Sequence, residues 1–243
     1  MIGKSQIKRV ASLHQKKFRK EFGQFIAEGP KVIGELIGSR FRLLELYSTD
    51  ASLIAADFPQ TPVTSDEIKK MSALTTPSGC LAVFEIPDEV DVVSSGLTVV
   101  LDDVRDPGNL GTIIRLCDWF GVSQIVCSME SVDVFNPKVV QATMGSMARV
   151  DVIYRNLTEF LSSDSRPVFG TFMHGKNIYG TSFPSDAIVI FGNESNGISE
   201  EVESLVTERI AIPRFGNLQK TESLNVATAT AITLSEFRRS SKL

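Results

Sequence analysis

Tryptophan occurs once, histidine twice and cysteine three times in this chain of 243 residues. Two histidines and no Cys-x-x-Cys pair leave nothing with the ligand spacing of a zinc centre. Cys80, Cys117 and Cys127 are an odd set, which suits buried thiols in a reducing cytoplasm better than disulfides. No apolar run approaches the ~18–20 residues that span a bilayer. The opening MIGKSQIKRVASLHQKK has no apolar segment of the secretory kind, so the expected location is cytoplasmic. Two phosphate-binding signatures are missing as well. There is no GxxxxGK[ST], and no GxGxxG follows a strand-like run, so a P-loop and the common dinucleotide site have no support. What remains is an ordinary soluble composition, 42% apolar and 22% charged, which excludes disorder and low-complexity chains.

The net charge of −4 conceals an asymmetry. Residues 1–31 carry eight Lys/Arg against Glu21 and Glu28, a net of +6, and the other residues carry 17 basic and 27 acidic side chains, a net of −10. A basic end on an acidic body points to a polyanion met by one part of the molecule. The competing reading is a solvated basic helix face.

Along the chain the pattern changes once. Residues 5–20 read as a basic helix or helix pair, and short strands follow at Gln24–Glu28, Arg42–Tyr47 and Cys80–Phe84. Between them, Gly29-Pro30 opens a helix through Ile37 and Ser65 caps another to about Leu74. Pro87 to Gly96 reads as the linker. Beyond it, strands at Leu97–Leu101, Gln124–Cys127, Val150–Tyr154, Val168–Phe172, Ala187–Phe191 and Arg209–Ile212 alternate with helices near 110–120, 137–146, 157–163, 199–206 and 224–238. Continuous runs such as Ala187-Ile188-Val189-Ile190-Phe191 are what strands buried on both faces look like. The fold class is therefore α/β, with a parallel-sheet domain over 96–243 behind a small α/β domain over 1–90.

Ligands of such sheets bind beyond the carboxyl ends of the strands, and three loops there are polar and glycine-rich. The first holds Asp106-Pro107-Gly108-Asn109, with Arg115 six residues after Asn109. Asn109 reads as a cap or turn residue, Arg115 as a partner of Asp118 or Asp106, and Trp119 and Phe120 as core. The second is Gly192-Asn193-Glu194-Ser195-Asn196-Gly197-Ile198-Ser199, where glycines allow close backbone approach to a ligand and Ser199 is placed to cap a helix. The third runs from Ile212-Pro213 to Ser223-Leu224-Asn225 and an Ala/Thr-rich helix. Two other readings stay open at this point. Asp102, Asp103 and Asp106 could hold Mg²⁺ in a phosphohydrolase, or the basic end could belong to a non-enzymatic RNA-binding protein. His14 and His174 need no catalytic part, although His174 follows a strand towards the cleft.

Taken in order, Asp106-Pro107-x-Asn109-x-Gly111-x3-Arg115, Gly192-x-Glu194-x2-Gly197-x-Ser199, and Ile212-Pro213 with Ser223-Leu224-Asn225-Val226 resemble the three motifs of the SpoU (TrmH-like) branch of the SPOUT RNA methyltransferases. Met144-Gly145-Ser146 resembles that family's turn between the first two motifs. Residues 11–84, with Phe18-Arg19-x4-Gly23-x-Phe25-x2-Glu28-Gly29, resemble the L30e-like substrate-binding domain that many members carry. The stretch from Ile212 to Ser223 is longer than the family's pattern, which leaves Asn217 to Glu222 without a role. The resemblance implies methyl transfer from S-adenosylmethionine to a ribose 2′-hydroxyl of RNA, ribosomal before transfer RNA, with neither DNA nor a membrane as partner. It also implies a trefoil knot and a homodimer through the catalytic domain, with the small-residue face of 226–231 at the interface. Arg115 would stabilise the alkoxide and a phosphate, with Asn109, Glu194, Ser223 and Asn225 positioning it and the ribose. The cofactor would lie against Thr171, Gly192, Asn193, Gly197, Ile212 and Leu224. Lys16, Lys17, Arg19, Lys20 and Lys138 would meet the RNA.

Overall fold

The computed structural model describes residues 2–55, 58–215 and 223–240. It divides into two compact units, Met1–Glu89 with Asp133–Arg149, and Val90–Val132 with Val150–Leu243.

The basic end of the first unit is a helix pair, α1 (Lys4–Ser12) and α2 (Lys16–Phe22). Gly23 ends α2 in the left-handed region at φ 62°, a conformation that costs a glycine nothing. Then come β1 (Gln24–Glu28), α3 (Pro30–Leu36), β2 (Leu43–Ser48), the two-residue β3 (Thr61–Pro62), α4 (Ser65–Met71) and β4 (Cys80–Glu85). The sheet order is β1-β4-β2-β3, with β4 antiparallel to both its neighbours. The cap of α4 is Thr64 rather than Ser65. Glu67 N–H donates to Thr64 Oγ1 at 3.3 Å and Thr64 N–H donates to Glu67 Oε2 at 2.8 Å, a reciprocal capping box. That helix stops at Met71, short of Leu74. Val10, Leu13, Ile26, Tyr47, Ile68, Met71 and Val83 pack together as a core.

The rest of the chain alternates as expected: β5 (Leu97–Leu101), α5 (Pro107–Trp119), β6 (Gln124–Cys127), α6 (Pro137–Thr143), β7 (Asp151–Tyr154), α7 (Leu157–Ser163), β8 (Val168–Asn177), β9 (Ala187–Phe191), α8 (Glu200–Glu203), β10 (Glu208–Ala211) and α9 (Val226–Ser240). Six strands pair in the order β10-β8-β9-β5-β6-β7, all parallel. Every residue of β5, β6 and β9 is buried, as their largely apolar runs require. β8 continues five residues past the expected Phe172 and pairs with β10 across a register shift at Arg209/Ile210. Its extension is exposed and polar, so no apolar pattern marked it. The loop that a trefoil knot would thread includes 216–222, which lies outside the described residues.

Three expectations are corrected here. Helix α6 ends at Thr143 rather than 146, because Met144 and Gly145 both turn left-handed at φ 52° and 98°. Segment 133–149, read as part of the parallel-sheet domain, packs in the first unit. There the Arg19 guanidinium meets Asp133, the Phe135 ring lies 4.8 Å from that of Phe25, and Arg149 Nη1 donates to Glu35 at 2.7 Å. The stretch read as a linker is fastened to the second unit over 90–96. Gln124 Nε2 donates to the Val93 carbonyl at 2.6 Å and Arg166 Nη1 donates to the Gly96 carbonyl at 3.0 Å.

Trp119 and Phe120 do not enter the core as a pair. Trp119 is 84% exposed and Phe120 is half-buried. One side of α9 is used inside the chain: Val226, Ala227, Thr230 and Leu234 are buried and α9 packs against α5, whereas Thr228 is exposed and Ala229 and Ala231 are half-buried.

Candidate active site

β5 and β9 are neighbours whose continuations leave in opposite directions along the sheet, β5 towards β6 and β9 towards β10. The crevice outside their carboxyl ends is the switch point at which open α/β sheets bind ligands. The first two polar loops open there. The loop after β5 is set by Asp106, which caps α5 by accepting from Asn109 N–H at 2.8 Å. The cap is thus Asp106 and not Asn109, and the Asn109 side chain is released for other work.

That side chain turns to the loop after β9. Asn109 Nδ2 donates to Glu194 Oε1 at 2.8 Å, and Asn225 Nδ2 donates to the same oxygen at 2.8 Å and to Asn109 Oδ1 at 2.9 Å. Asn225 Oδ1 meanwhile accepts from Ala227 N–H at 3.0 Å and Thr228 N–H at 3.2 Å, so it caps α9 with one end of its amide and holds the carboxylate with the other. One residue from each of the three loops therefore meets at a single carboxylate. Glu194 Oε2 has no hydrogen-bond partner among the described residues.

The second loop is closed on itself. Asn193 N–H and Gly197 N–H exchange hydrogen bonds with each other's carbonyls at 2.9 and 2.8 Å, and Asn193 Oδ1 accepts from Ser195 N–H at 2.8 Å. Gly197 sits at φ 73°. A Cβ on Gly192 would lie 2.1 Å from the Gly197 carbonyl carbon and 2.3 Å from Ile198 N. Glycine is required at 192 by the chain's own backbone, a different partner from the ligand anticipated from sequence.

The three aspartates of the metal reading are each committed elsewhere. Asp102 Oδ2 accepts from Ser199 N–H at 2.7 Å and Ser199 Oγ at 2.8 Å, Asp103 pairs with Arg105 at 2.6 Å, and Asp106 is the α5 cap. Ser199 accordingly spends its hydroxyl on Asp102 and does not cap α8. No group of three or more His, Cys, Asp or Glu among the described residues is arranged to hold a metal ion. Cys117 and Cys127 are buried, and burial pushes both thiols far up, so neither supplies a thiolate nucleophile.

A cleft of about 930 Å³ adjoins the cluster, and Thr171, Gly192, Asn193, Gly197, Ile212 and Leu224, all six residues expected at the cofactor, line it. Glu194 and Ser223 are on its wall too. The volume lies in the upper part of the range for small-ligand sites, about 300–1,000 Å³. Sequence reading missed Arg214, Phe215 and Thr233 on the same wall. Phe215 is 81% exposed. The Thr233 hydroxyl is buried and lacks a hydrogen-bond partner among the described residues. Nothing in the sequence separates that threonine from the other small residues of α9. His174 is exposed and is not on the wall, though its neighbour Met173 is. His14 is structural, its Nε2 2.8 Å from the Met71 carbonyl.

Arg115 makes no hydrogen bond with Asn109, Glu194 or Asn225. Six residues at 3.6 per turn leave it about 120° around α5 from Asn109 and about 9 Å along it. It is exposed and makes no ion pair or hydrogen bond among the described residues, so the pairing with Asp118 or Asp106 is not formed. Among the side chains expected to meet RNA, Lys16, Lys17, Lys20 and Lys138 are exposed and all belong to the first unit. Arg19 is the exception. At 2% exposure it donates through Nη2 and Nε to Asp133 Oδ2 at 2.5 and 3.0 Å, and through Nη1 to the Leu13 and His14 carbonyls at 2.9 Å. It holds the end of α1 and the 133–149 segment together within the first unit and has no surface to offer.

The chain is similar to known proteins. The model of the SpoU rRNA Methylase family matches residues 96–235, and that of the MRM3-like substrate binding domain matches residues 4–82. The chain is 42% identical to a putative RNA methyltransferase of the TrmH family from Porphyromonas gingivalis, with TM-score 0.90 over 99% of this chain and 100% of that one. An AdoMet-bound rRNA methyltransferase from Sinorhizobium meliloti superimposes with TM-score 0.87 at 29% identity, over 98% and 97% of the two chains. The 23S rRNA (guanosine(2553)-2'-O)-methyltransferase RlmP of Bacillus subtilis is 29% identical over 96% of each chain. With a motif from each of three loops joined at Glu194 and the family model spanning the whole parallel sheet, this chain belongs to the SpoU rRNA methylase family.

Proposed function

We propose that the protein methylates a ribose 2′-hydroxyl of ribosomal RNA. The cofactor is S-adenosylmethionine, which supplies a methyl group already activated on a sulfonium sulfur. The observation that carries the reading is the Asn109–Glu194–Asn225 cluster at the edge of a cleft lined by all six expected cofactor residues.

The work left to the chain is to align a weakly acidic hydroxyl and to stabilise the charge that develops as it loses its proton. Two amides hold Glu194 through Oε1, so Oε2 faces out with its direction fixed and accepts from the ribose hydroxyl. Ser223 and Asn225 complete the seat. Arg115, a cation with no protein partner among the described residues, stabilises the alkoxide and an adjacent RNA phosphate. Guanidinium stays protonated across the accessible range, so its part is electrostatic. Lys16, Lys17, Lys20 and Lys138 hold the RNA backbone. The enzyme works as a homodimer through the second unit. Trp119, 84% exposed at the end of α5, and the outward residues of α9, with Thr228 exposed and Ala231 half-buried, form the interface. Three free, buried thiols suit the reducing cytoplasm.

The test is methyl transfer from labelled S-adenosylmethionine to ribosomal RNA purified from a deletion strain, with the modified nucleotide mapped and its linkage determined. Label on a ribose 2′-oxygen at one position is the expected outcome, and label on a base overturns the proposal.

A further inference from the structure

We propose that Thr233 recognises the adenine of S-adenosylmethionine, its hydroxyl forming a hydrogen bond with the edge of the base at the floor of the cleft. This rests on the cofactor reading above and adds to it a side-chain contact that no motif contains. Thr233 is fully buried, lines the cleft and has no hydrogen-bond partner for Oγ1 among the described residues. Three residues earlier on the same helix, Thr230 is equally buried and donates to the Val226 carbonyl four residues back, at 2.8 Å. That is the usual local solution for a helical threonine. The Ala229 carbonyl stands in the same relation to Thr233, and no such bond is formed. Buried polar groups are nearly always paired, so an unpaired hydroxyl on a residue that lines a cavity is one held for what the cavity takes.

The surroundings select which part of the cofactor reaches it. Val226, Ala229 and Thr233 form one stripe of α9, and Ile178, Ile198 and Ile210 also line the cleft. The methionine end carries an ammonium and a carboxylate, which need several polar or charged partners. The ribose presents two hydroxyls side by side. Adenine alone is a flat apolar body with its hydrogen-bonding groups confined to the rim, and it matches a single hydroxyl set among aliphatic side chains.

The experiment compares the wild type with Thr233→Val and Thr233→Ser by calorimetry. The ligands are S-adenosylhomocysteine and 5′-methylthioadenosine, which keeps the adenine and ribose and lacks the amino acid. One neutral hydrogen bond is worth about 3- to 10-fold in Kd, so Thr233→Val weakens both ligands by that factor while Thr233→Ser stays within about twofold. Ligand-free Thr233→Val melts no lower than the wild type, because it loses an unpaired hydroxyl and keeps the shape. A Thr233→Val protein that binds S-adenosylhomocysteine like the wild type overturns the proposal, and so does one that loses affinity for S-adenosylhomocysteine but not for 5′-methylthioadenosine. A wild type that binds neither overturns the cofactor reading, and this proposal with it.

Discussion

Replacing Arg19 with Ala separates two meanings of a basic residue. Sequence alone places Arg19 with Lys16, Lys17 and Lys20 as a phosphate contact, whereas the structure places its guanidinium, 2% exposed, on the Asp133 carboxylate and on two main-chain carbonyls. The substitution strands the carboxylate, whose side chain is 16% exposed, and removes the donors from the Leu13 and His14 carbonyls at the end of α1. Breaking one partner out of a buried pair costs about 3–5 kcal/mol. The partial exposure of Asp133, and the bond it keeps from Phe135 N–H at 3.1 Å, put this case near about 3 kcal/mol. For a chain of this size that lowers Tm by on the order of 10 °C. Triple replacement of Lys16, Lys17 and Lys20 by Ala does the reverse. These side chains are exposed, so Tm holds within about 2 °C, while the log–log salt dependence of RNA affinity flattens by about 2, at about 0.7 per lost phosphate contact. Scanning calorimetry and RNA titrations at several salt concentrations read both quantities. An Arg19→Ala protein that keeps its Tm and loses salt slope refutes the assignment.

Arg115→Ala is expected to abolish methyl transfer and leave S-adenosylmethionine affinity within a few-fold, since it removes a contact made to the reacting RNA and none to the cleft. Turnover near the wild-type value in a single-turnover assay rules that role out. Trp119→Glu is expected to convert the dimer to a monomer in light scattering at micromolar concentration, and an unchanged mass places the interface elsewhere. Asp164→Asn tests a charge pair inside the second unit. Arg166 donates to both Asp164 oxygens, at 3.0 and 2.7 Å, with the two side chains only 6% and 5% exposed, and that contact holds the Asp164 carboxyl below the usual carboxylate range. Stabilisation of this kind is complete above the unfolded value of about 3.9 and is lost as pH falls through the lower folded value. The variant is therefore less stable at pH 7 by about 3 kcal/mol, and the gap closes in acid. A gap that stays constant from neutral pH down to pH 2 sinks the argument.

The elements that could be read from sequence are those whose burial is uniform. β5, β6 and β9 are apolar at every position or nearly so and buried on both faces, so their limits were visible without neighbours. The outer half of β8 is exposed and held by pairing with β10, and main-chain pairing leaves no trace in side-chain pattern. The same division governs the site. Asn109, Glu194 and Asn225 could be named because each falls in one of the three motifs that resemble those of the SpoU branch, in segments that follow strands of the parallel sheet. Burial, in contrast, is a property of tertiary neighbours, and two misreadings follow from it. Arg19 looks like its neighbouring lysines in a string of residues, yet Asp133, the residue that buries it, is 114 positions away. Trp119 looks like core because tryptophan is apolar, but it stands at the solvent end of α5.

Segment 133–149 carries the same reasoning one step further. It lies between two strands of the parallel sheet in sequence, yet its packing is with the basic helices and β1 of the first unit. Lys138 thereby joins Lys16, Lys17 and Lys20 in one compact body, and the positive surface proposed for RNA is assembled from two stretches more than 100 residues apart. Segment 133–149 adds Lys138 and Arg149 against Asp133, a net of +1, to the unit that carries the basic helices. Arg19 and Asp133 are what hold that arrangement. Arg19 supports the fold of the body that carries these lysines without touching RNA itself, so Arg19→Ala should weaken RNA binding at temperatures where the first unit has melted, and only there.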